Sequence, residues 1–189
     1  MRGYFGIGVE RISKTRNVGA LFRSAHAFNA SFMFTVAAAY GRREGGKSDT
    51  SDALGHVPFY SFPDVDSLLL PKGCQLVGVE LLDAAIDLPS FHHPPCAAYV
   101  MGPERASLSA AMVARCDHMI KIPARFCVNV SIAGAIVMYD RLLSQGRFAR
   151  RAHRPGPPAE PLPKHVFGDP VFRKKMDAFL DAPPLDAPL

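Results

Sequence analysis

Short apolar runs alternate along the chain with longer segments in which apolar residues recur every three or four positions. The short runs are rich in aromatic and β-branched residues, which favours buried strands. We predict strands at 4–12, 31–39, 59–62, 75–80, 97–101 and 119–122. The three-to-four periodicity predicts a helix after Asn17 as its N-cap, a short one over 64–70, one from Ser107 and one from Val130. A strand, helix, strand order this short implies parallel crossovers, so the fold class is α/β with a mostly parallel sheet flanked by helices.

The segment 120–143 joins a polar, irregular half to a helix that is apolar on nearly every face. Asn129 or Ser131 can cap the first free amides of that helix. A ligand bound at the same helix start, where amides and the helix dipole favour polar groups, explains the polar entrance equally well. The apolar surface fits a helix buried inside one chain or one buried between two chains.

The chain divides at about residue 150. Its 189 residues, 48% of them hydrophobic, suffice for one core, which we place at 1–150. Residues 151–189 are rich in proline and basic residues, and 169–180 has the pattern of a short amphipathic helix. No apolar run approaches the ~18 residues of a membrane span, and the first residues lack a signal-peptide pattern. We therefore expect a cytoplasmic protein that does not contact membranes.

Neither cysteine nor histidine spacing indicates a metal site. No two of Cys74, Cys96, Cys116 and Cys127 stand within the two to four residues typical of a zinc site, so reduced thiols are expected. The adjacent pair at 92–93 cannot direct both imidazoles at one metal from a strand. We predict no metal.

Charge is distributed unevenly. Residues 1–47 hold eight Lys/Arg and two acids (+6), residues 48–140 five and ten (−5), and residues 141–189 nine and five (+4). Two basic ends favour a polyanion such as nucleic acid, although solvated charged faces give the same pattern. The candidate phosphate-binding residues are Arg16, Arg23, Arg42, Arg43, Arg147, Arg150 and Arg151.

Three segments, each after a predicted strand, resemble the motifs of one enzyme family. They are Asn17-Val18-Gly19 with Arg23, then Gly102-Pro103-Glu104-Arg105, and Ile122-Pro123 with Cys127-Val128-Asn129-Val130-Ser131. Their order and spacing resemble the TrmH/SpoU-type branch of the SPOUT superfamily, the RNA 2′-O-ribose methyltransferases, across roughly 1–145. Two positions depart from the family pattern: Cys127 replaces a serine, and Ala106-Ser107-Leu108 replaces the usual Gly-Leu. A thiol is a weaker hydrogen-bonding group than a hydroxyl, so the role of Cys127 is the one in doubt.

The resemblance implies a deep C-terminal trefoil knot, in which the last helix is threaded through a loop to form an S-adenosylmethionine pocket. It also implies a homodimer with the knot helices at its interface. The pocket would be formed by loops after three strands, with the cofactor held by Val79, Glu80, Val100, Gly102, Ile120, Ile122, Cys127 and Val128.

The resemblance further implies methyl transfer to a ribose 2′-hydroxyl of RNA, and the lack of a separate RNA-binding domain favours tRNA over rRNA. Asn17, Glu104 and Asn129 would act beside Arg23. The family casts that arginine as the base. Because a guanidinium is rarely neutral, Arg23 as a phosphate-binding or hydroxyl-orienting group stays open beside that role.

Two other functions compete with this prediction. A non-catalytic RNA-binding dimer that keeps the knotted fold is compatible with the departures at 106 and 127. A dinucleotide-dependent oxidoreductase is disfavoured because its G-x-G-x-x-G fingerprint should open the first crossover, where 17–22 supplies one glycine.

Overall fold

The computed structural model describes residues 3–39, 53–103, 106–149 and 151–157. The predicted site residues Arg42, Arg43, Glu104 and Arg150, and the predicted helix of the tail, lie outside these ranges. The described strands are β1 (Tyr4–Glu10), β2 (Phe32–Val36), β3 (Phe59–Phe62), β4 (Gln75–Val79), β5 (Ile86–Asp87), β6 (Cys96–Met101) and β7 (His118–Lys121). The described helices are α1 (Thr15–Ala27), α2 (Ala53–His56), α3 (Ala110–Arg115) and α4 (Val130–Gln145).

The strands form one seven-stranded sheet in the order β3-β2-β1-β6-β4-β7-β5. Every pairing among the described strands is parallel, which confirms the predicted α/β class and its parallel sheet. Because the strands are parallel, their carboxyl ends meet at one edge. The loops that carry the sequence motifs therefore converge there.

Apolar side chains pack on both faces of the sheet. One cluster joins β1 to α1 and α4 through residues such as Ile7, Leu21 and Val137. The other covers the opposite face, where Phe34 of β2 and Met112 of α3 are buried. Close packing explains a glycine in β1: a Cβ on Gly8 would stand 2.6 Å from the ring of Phe34, so the aromatic ring needs that space.

The helix predicted from Ser107 begins at Ala110, with Ser109 as its N-cap. Two further local predictions are wrong. Helix α1 begins at Thr15 with Lys14 as its N-cap, so Asn17 is inside the first turn and does not cap it. Residues 64–70 form turns rather than a helix. There the carboxylate of Asp64 accepts from the Ser67 amide at 2.7 Å, and the Ser67 hydroxyl donates to the Asp64 carbonyl at 2.9 Å. This local bonding satisfies the backbone without a helix.

The second half of α4 is fixed by a buried polar network. Arg141 donates to the Pro94 carbonyl at 2.7 Å and to the Tyr99 hydroxyl at 3.0 Å. The Tyr99 hydroxyl lies 2.6 Å from Nδ1 of His93, whose Nε2 lies 2.9 Å from Asp140. An arginine can only donate, so the Tyr99 hydroxyl accepts from Arg141 and donates to a neutral His93, which in turn donates to Asp140. Burial lowers the pKa of His93, which favours this neutral form.

Among the residues that the structure describes, no helix is both long and apolar enough to cross a bilayer. The same residues contain no cluster of His, Cys, Asp or Glu with the geometry to hold a metal ion. Burial raises the pKa of the Cys74 and Cys116 thiols to about 12.

Candidate functional site

A cavity of about 470 Å³ opens at the carboxyl edge of the sheet. Its walls come from the loops that follow β4, β6 and β7 and from the first turn of α4. The lining residues are Lys14, Val79, Glu80, Leu81, Met101, Gly102, Pro103, Ala106, Ser107, Ile122, Ala124, Phe126, Cys127, Val128, Asn129, Val130 and Ala133. The volume lies within the ~300–1,000 Å³ range of small-molecule sites.

Most residues predicted from the sequence to bind a cofactor lie at this cavity. The lining includes Val79, Glu80, Gly102, Ile122, Cys127 and Val128. Val100 and Ile120 do not line it, because both are fully buried inside their strands. Val100 packs in the cluster on one face of the sheet and Ile120 in the cluster on the other. Both residues lie in the core of the sheet, and the loops that follow their strands form the surface of the cavity.

Two of the motif segments meet through a hydrogen bond between asparagines. Nδ2 of Asn129 donates to Oδ1 of Asn17 at 3.0 Å, across 112 residues of sequence. Oδ1 of Asn129 accepts from the amide and the hydroxyl of Ser131, at 2.9 and 2.6 Å, so Asn129 is also the N-cap of α4. The capping prediction is thereby confirmed for Asn129. Asn129 also lines the cavity. One side chain therefore contacts α1, caps α4 and forms part of the cavity wall.

The predicted basic residues of α1 lie on its outer surface. Arg16 and Arg23 are both exposed, and the intervening Ala20 is exposed as well. Seven residues correspond to about two helical turns, so the two guanidinium groups project from the same side of α1. Arg23 is not among the residues that line the cavity of its own chain. Arg147 and Arg151, which follow α4, are also exposed.

Two lining residues stand out among those that sequence reasoning missed. Lys14 occupies the N-cap of α1 without a side-chain capping bond, at a helix end where a cation is unfavourable. Phe126 is 76% exposed beside the cavity. The sequence carries no signal for Lys14, because it predicts Asn17 as the cap of this helix and Lys14 becomes the N-cap residue only in the structure. Nothing in the sequence separates Phe126 from an ordinary core aromatic.

Glu80 lines the cavity and also supports it. One carboxylate oxygen accepts from the Leu81 amide at 3.0 Å, and the other accepts from the Leu108 amide at 2.9 Å. A Cβ on Gly102 would lie 3.2 Å from that second oxygen and 3.0 Å from the Leu108 nitrogen. The loop after β6 therefore folds closely over the end of β4, and glycine at 102 permits the contact.

Comparisons with known proteins agree with this architecture. A tRNA (guanosine(18)-2'-O)-methyltransferase of Escherichia coli is 28% identical over 145 residues, covering 70% of this chain and 60% of the relative. An uncharacterized tRNA/rRNA methyltransferase of Archaeoglobus fulgidus is 27% identical over 144 residues, covering 72% and 63%. The chain thus spans less than two thirds of the length of these relatives.

Solved structures share the fold. The SpoU methyltransferase AviRb from Streptomyces viridochromogenes, in complex with the cofactor AdoMet, superposes with a TM-score of 0.68 at 21% identity, over 75% of this chain and 57% of that one. The TrmH/SpoU tRNA modifying enzyme of A. aeolicus gives a TM-score of 0.65 at 21% identity, over 74% of each chain. The model of the SpoU rRNA Methylase family matches residues 5–139, and the chain belongs to that family.

Proposed function

We propose that the protein is an S-adenosylmethionine-dependent methyltransferase that modifies a ribose 2′-hydroxyl of RNA, with tRNA preferred over rRNA. The observation that carries the proposal is the convergence of the motif segments on one cavity. Gly102, the loop from Ile122 and the Asn17–Asn129 pair all lie at or beside it. The relatives named as tRNA and rRNA methyltransferases support the reaction type.

The residues present fit S-adenosylmethionine. Val79, Leu81 and Ile122 give the cavity an apolar wall suited to a purine ring, and Glu80 offers a carboxylate to the ribose hydroxyls or to the cationic part of the donor. The bound donor would supply a methyl group on a sulfonium, which is already activated. The chain's own task is then to align the acceptor and to accept or pass on its hydroxyl proton.

The acceptor nucleotide would approach from the α1 side. We assign Arg23 to the phosphate or the 2′-hydroxyl of that nucleotide, because a guanidinium is a fork of donors that stays charged at neutral pH. Arg16 lies on the same exposed face and would bind a neighbouring phosphate. Asn17 and Asn129 would orient the ribose at the cavity. Glu104, Arg42, Arg43 and Arg150 remain assignments made from the sequence.

We further propose a homodimer formed through α4 and a trefoil knot that threads this helix. Ile132 is 54% and Tyr139 51% exposed, and their seven-residue spacing puts them on one face of α4. The ring of Phe28 lies beside Tyr139, with centroids 6.4 Å apart, and extends this apolar surface. The similarity in fold to SpoU structures supports the threading.

A non-catalytic RNA-binding dimer is the second candidate. The observation that favours it is Cys127, an exposed thiol at the cavity in place of the family's serine. The two candidates make opposite predictions for donor binding and for turnover.

The test is methylation of purified tRNA and rRNA in separate reactions, followed by mass spectrometry of the nucleosides. We expect a 2′-O-methylated nucleoside with tRNA, and its formation should fall at least tenfold in an Arg23→Ala variant. Lys72→Ala is the matched control, because Lys72 is an exposed cation that precedes the amino end of β4 and is assigned to no binding role. A methylated base would refute the assigned acceptor, and RNA binding without methylation would establish the second candidate.

A further inference from the structure

The loop after β6 is held at three consecutive residues by side chains that lie at, or directly after, the carboxyl ends of β1 and β4. Nη2 of Arg11 donates to the Ser107 carbonyl at 2.7 Å. The Leu108 amide donates to Glu80 at 2.9 Å. The Ser109 amide and hydroxyl both donate to Glu10, at 2.7 and 2.5 Å. We call Glu10, Arg11 and Glu80 the loop clamp.

Glu10 is the buried member of the loop clamp. It ends β1 and is only 1% exposed, and Nε of the neighbouring Arg11 lies 3.9 Å from its carboxylate. Burying a carboxylate is costly unless hydrogen bonds replace its water. Ser109 supplies two of them, and its hydroxyl oxygen also accepts from the Met112 amide at 3.1 Å. One carboxylate therefore fixes both the end of the loop and the start of α3.

The clamped loop is a wall of the cavity. Gly102, Pro103, Ala106 and Ser107 line it, whereas Glu10, Arg11 and Ser109 do not. Ser109 is two residues from Ser107 along the chain, so a displacement of Ser109 also displaces Ser107. Glu10 thus influences the shape of the wall without reaching a ligand inside.

We propose that Glu10 is a positioning residue for the donor cavity. It acts through Ser109 to keep the adjoining wall residues Ala106 and Ser107 in their binding geometry. Removing its carboxylate weakens donor binding although no contact to the donor is lost. The inference rests on the proposed function, because it assumes S-adenosylmethionine as the occupant.

Three variants of the full chain separate positioning from general stability. Glu10→Ala removes every bond to Ser109. Glu10→Gln keeps one acceptor for the Ser109 amide and one donor toward its hydroxyl. Ser109→Ala deletes only the hydroxyl contacts. Asp117→Asn is the matched control, because Asp117 accepts from the Leu76 amide at 2.7 Å at the amino end of β4, on the opposite edge of the sheet.

The measurement is calorimetric titration with S-adenosylmethionine, at a temperature where circular dichroism shows each variant to be folded. We expect Kd to rise roughly tenfold for Glu10→Ala and roughly threefold for Ser109→Ala, with Glu10→Gln between wild type and Glu10→Ala. Asp117→Asn should bind like wild type even where its melting temperature falls. If Glu10→Ala does not fold, Ser109→Ala and Glu10→Gln decide the question.

The outcomes distinguish this inference from the proposed function. If wild type releases no heat, the donor assignment fails and the inference fails with it. If wild type binds while Glu10→Gln and Ser109→Ala keep its Kd and lose only melting temperature, the residue is merely structural and the inference alone is overturned. If Asp117→Asn loses affinity as much as Ser109→Ala, the effect is not specific to the wall, which also overturns it.

Discussion

The contact between Asn17 and Asn129 can be tested by changing each to aspartate. Oδ1 of Asn129 is committed to Ser131, so its Nδ2 faces Oδ1 of Asn17 at 3.0 Å. Asn17→Asp places a carboxylate where the amide oxygen already accepts, at the first turn of α1, and should stabilise the fold by up to about 0.5 kcal/mol. Asn129→Asp keeps the cap, since Asp and Asn are equivalent N-caps, and Asn17 can turn its amide to donate. Its effect should be near zero.

The double variant brings two carboxylates together. Two unit charges 3.0 Å apart repel by about 1.4 kcal/mol even at the dielectric constant of water, and more at a partly buried site. Neither carboxylate can donate, so the hydrogen bond is lost as well, at about 1 kcal/mol. We expect a coupling energy of about 2–3 kcal/mol that destabilises the double variant.

Urea denaturation of wild type, both single variants and the double variant gives this coupling energy. The repulsive part should shrink in 0.5 M salt and below about pH 4, where one carboxylate becomes protonated. Ser131→Ala is the control, because it weakens the α4 cap without touching Asn17. Additivity of the two single changes within about 0.3 kcal/mol would show that the asparagines are not in contact, and would refute the geometry that joins the two motif segments.

Three further predictions concern the polar network, the RNA surface and the dimer. Burial lowers the pKa of His93 in the folded protein, so as the pH falls the imidazole is protonated more readily in the unfolded chain than in the folded one. The free energy of unfolding should therefore fall as the pH drops below about 6.5, by at most about 1.4 kcal/mol per pH unit. Urea denaturation at pH 7.5 and 5.5 should show that the free energy of unfolding falls less between these pH values for His93→Gln than for His92→Gln, the control at the exposed neighbouring residue. Equal losses in the two variants would contradict this. Arg16→Ala should lower the slope of log affinity for RNA against log salt by roughly 0.7–0.9 while leaving turnover at saturating RNA unchanged; an unchanged slope would remove Arg16 from the phosphate contacts. If the proposed dimer forms through α4, Ile132→Asp should convert it to a monomer in sedimentation velocity, whereas exposed Ser144→Asp should not; a dimeric Ile132→Asp variant would place the interface elsewhere.

Much of the fold followed from local pattern. The strands β1, β2 and β6 are apolar runs with buried residues throughout or nearly so, and such runs identify parallel strands from sequence alone. Strand β5 was missed because it has two residues, Ile86 and Asp87, and no periodicity to detect. The turns at 64–70 were misassigned because apolar periodicity does not show that Asp64 and Ser67 bond to each other and satisfy the backbone without a helix.

The site was predictable only where residues carry a motif. Asn129 was identified as a candidate N-cap and as part of a family motif, and Gly102 through the motif that it begins. Glu10 was not, since its partner Ser109 is 99 positions away and a glutamate after a strand looks like an ordinary polar end. Lining by Phe126 depends on how the loop after β7 turns, which apolar patterning does not encode.

The central claim is that the cavity at the carboxyl edge of the sheet holds S-adenosylmethionine. Calorimetric titration of wild type against Gly102→Val tests it most directly, because a Cβ at 102 would lie 3.0 Å from the Leu108 nitrogen and 3.2 Å from Glu80 and would displace the cavity wall that Gly102, Glu80 and Ser107 form. The account predicts saturable one-to-one binding to wild type and none to a folded Gly102→Val variant. Equal binding to both proteins, or no binding to either, would contradict it.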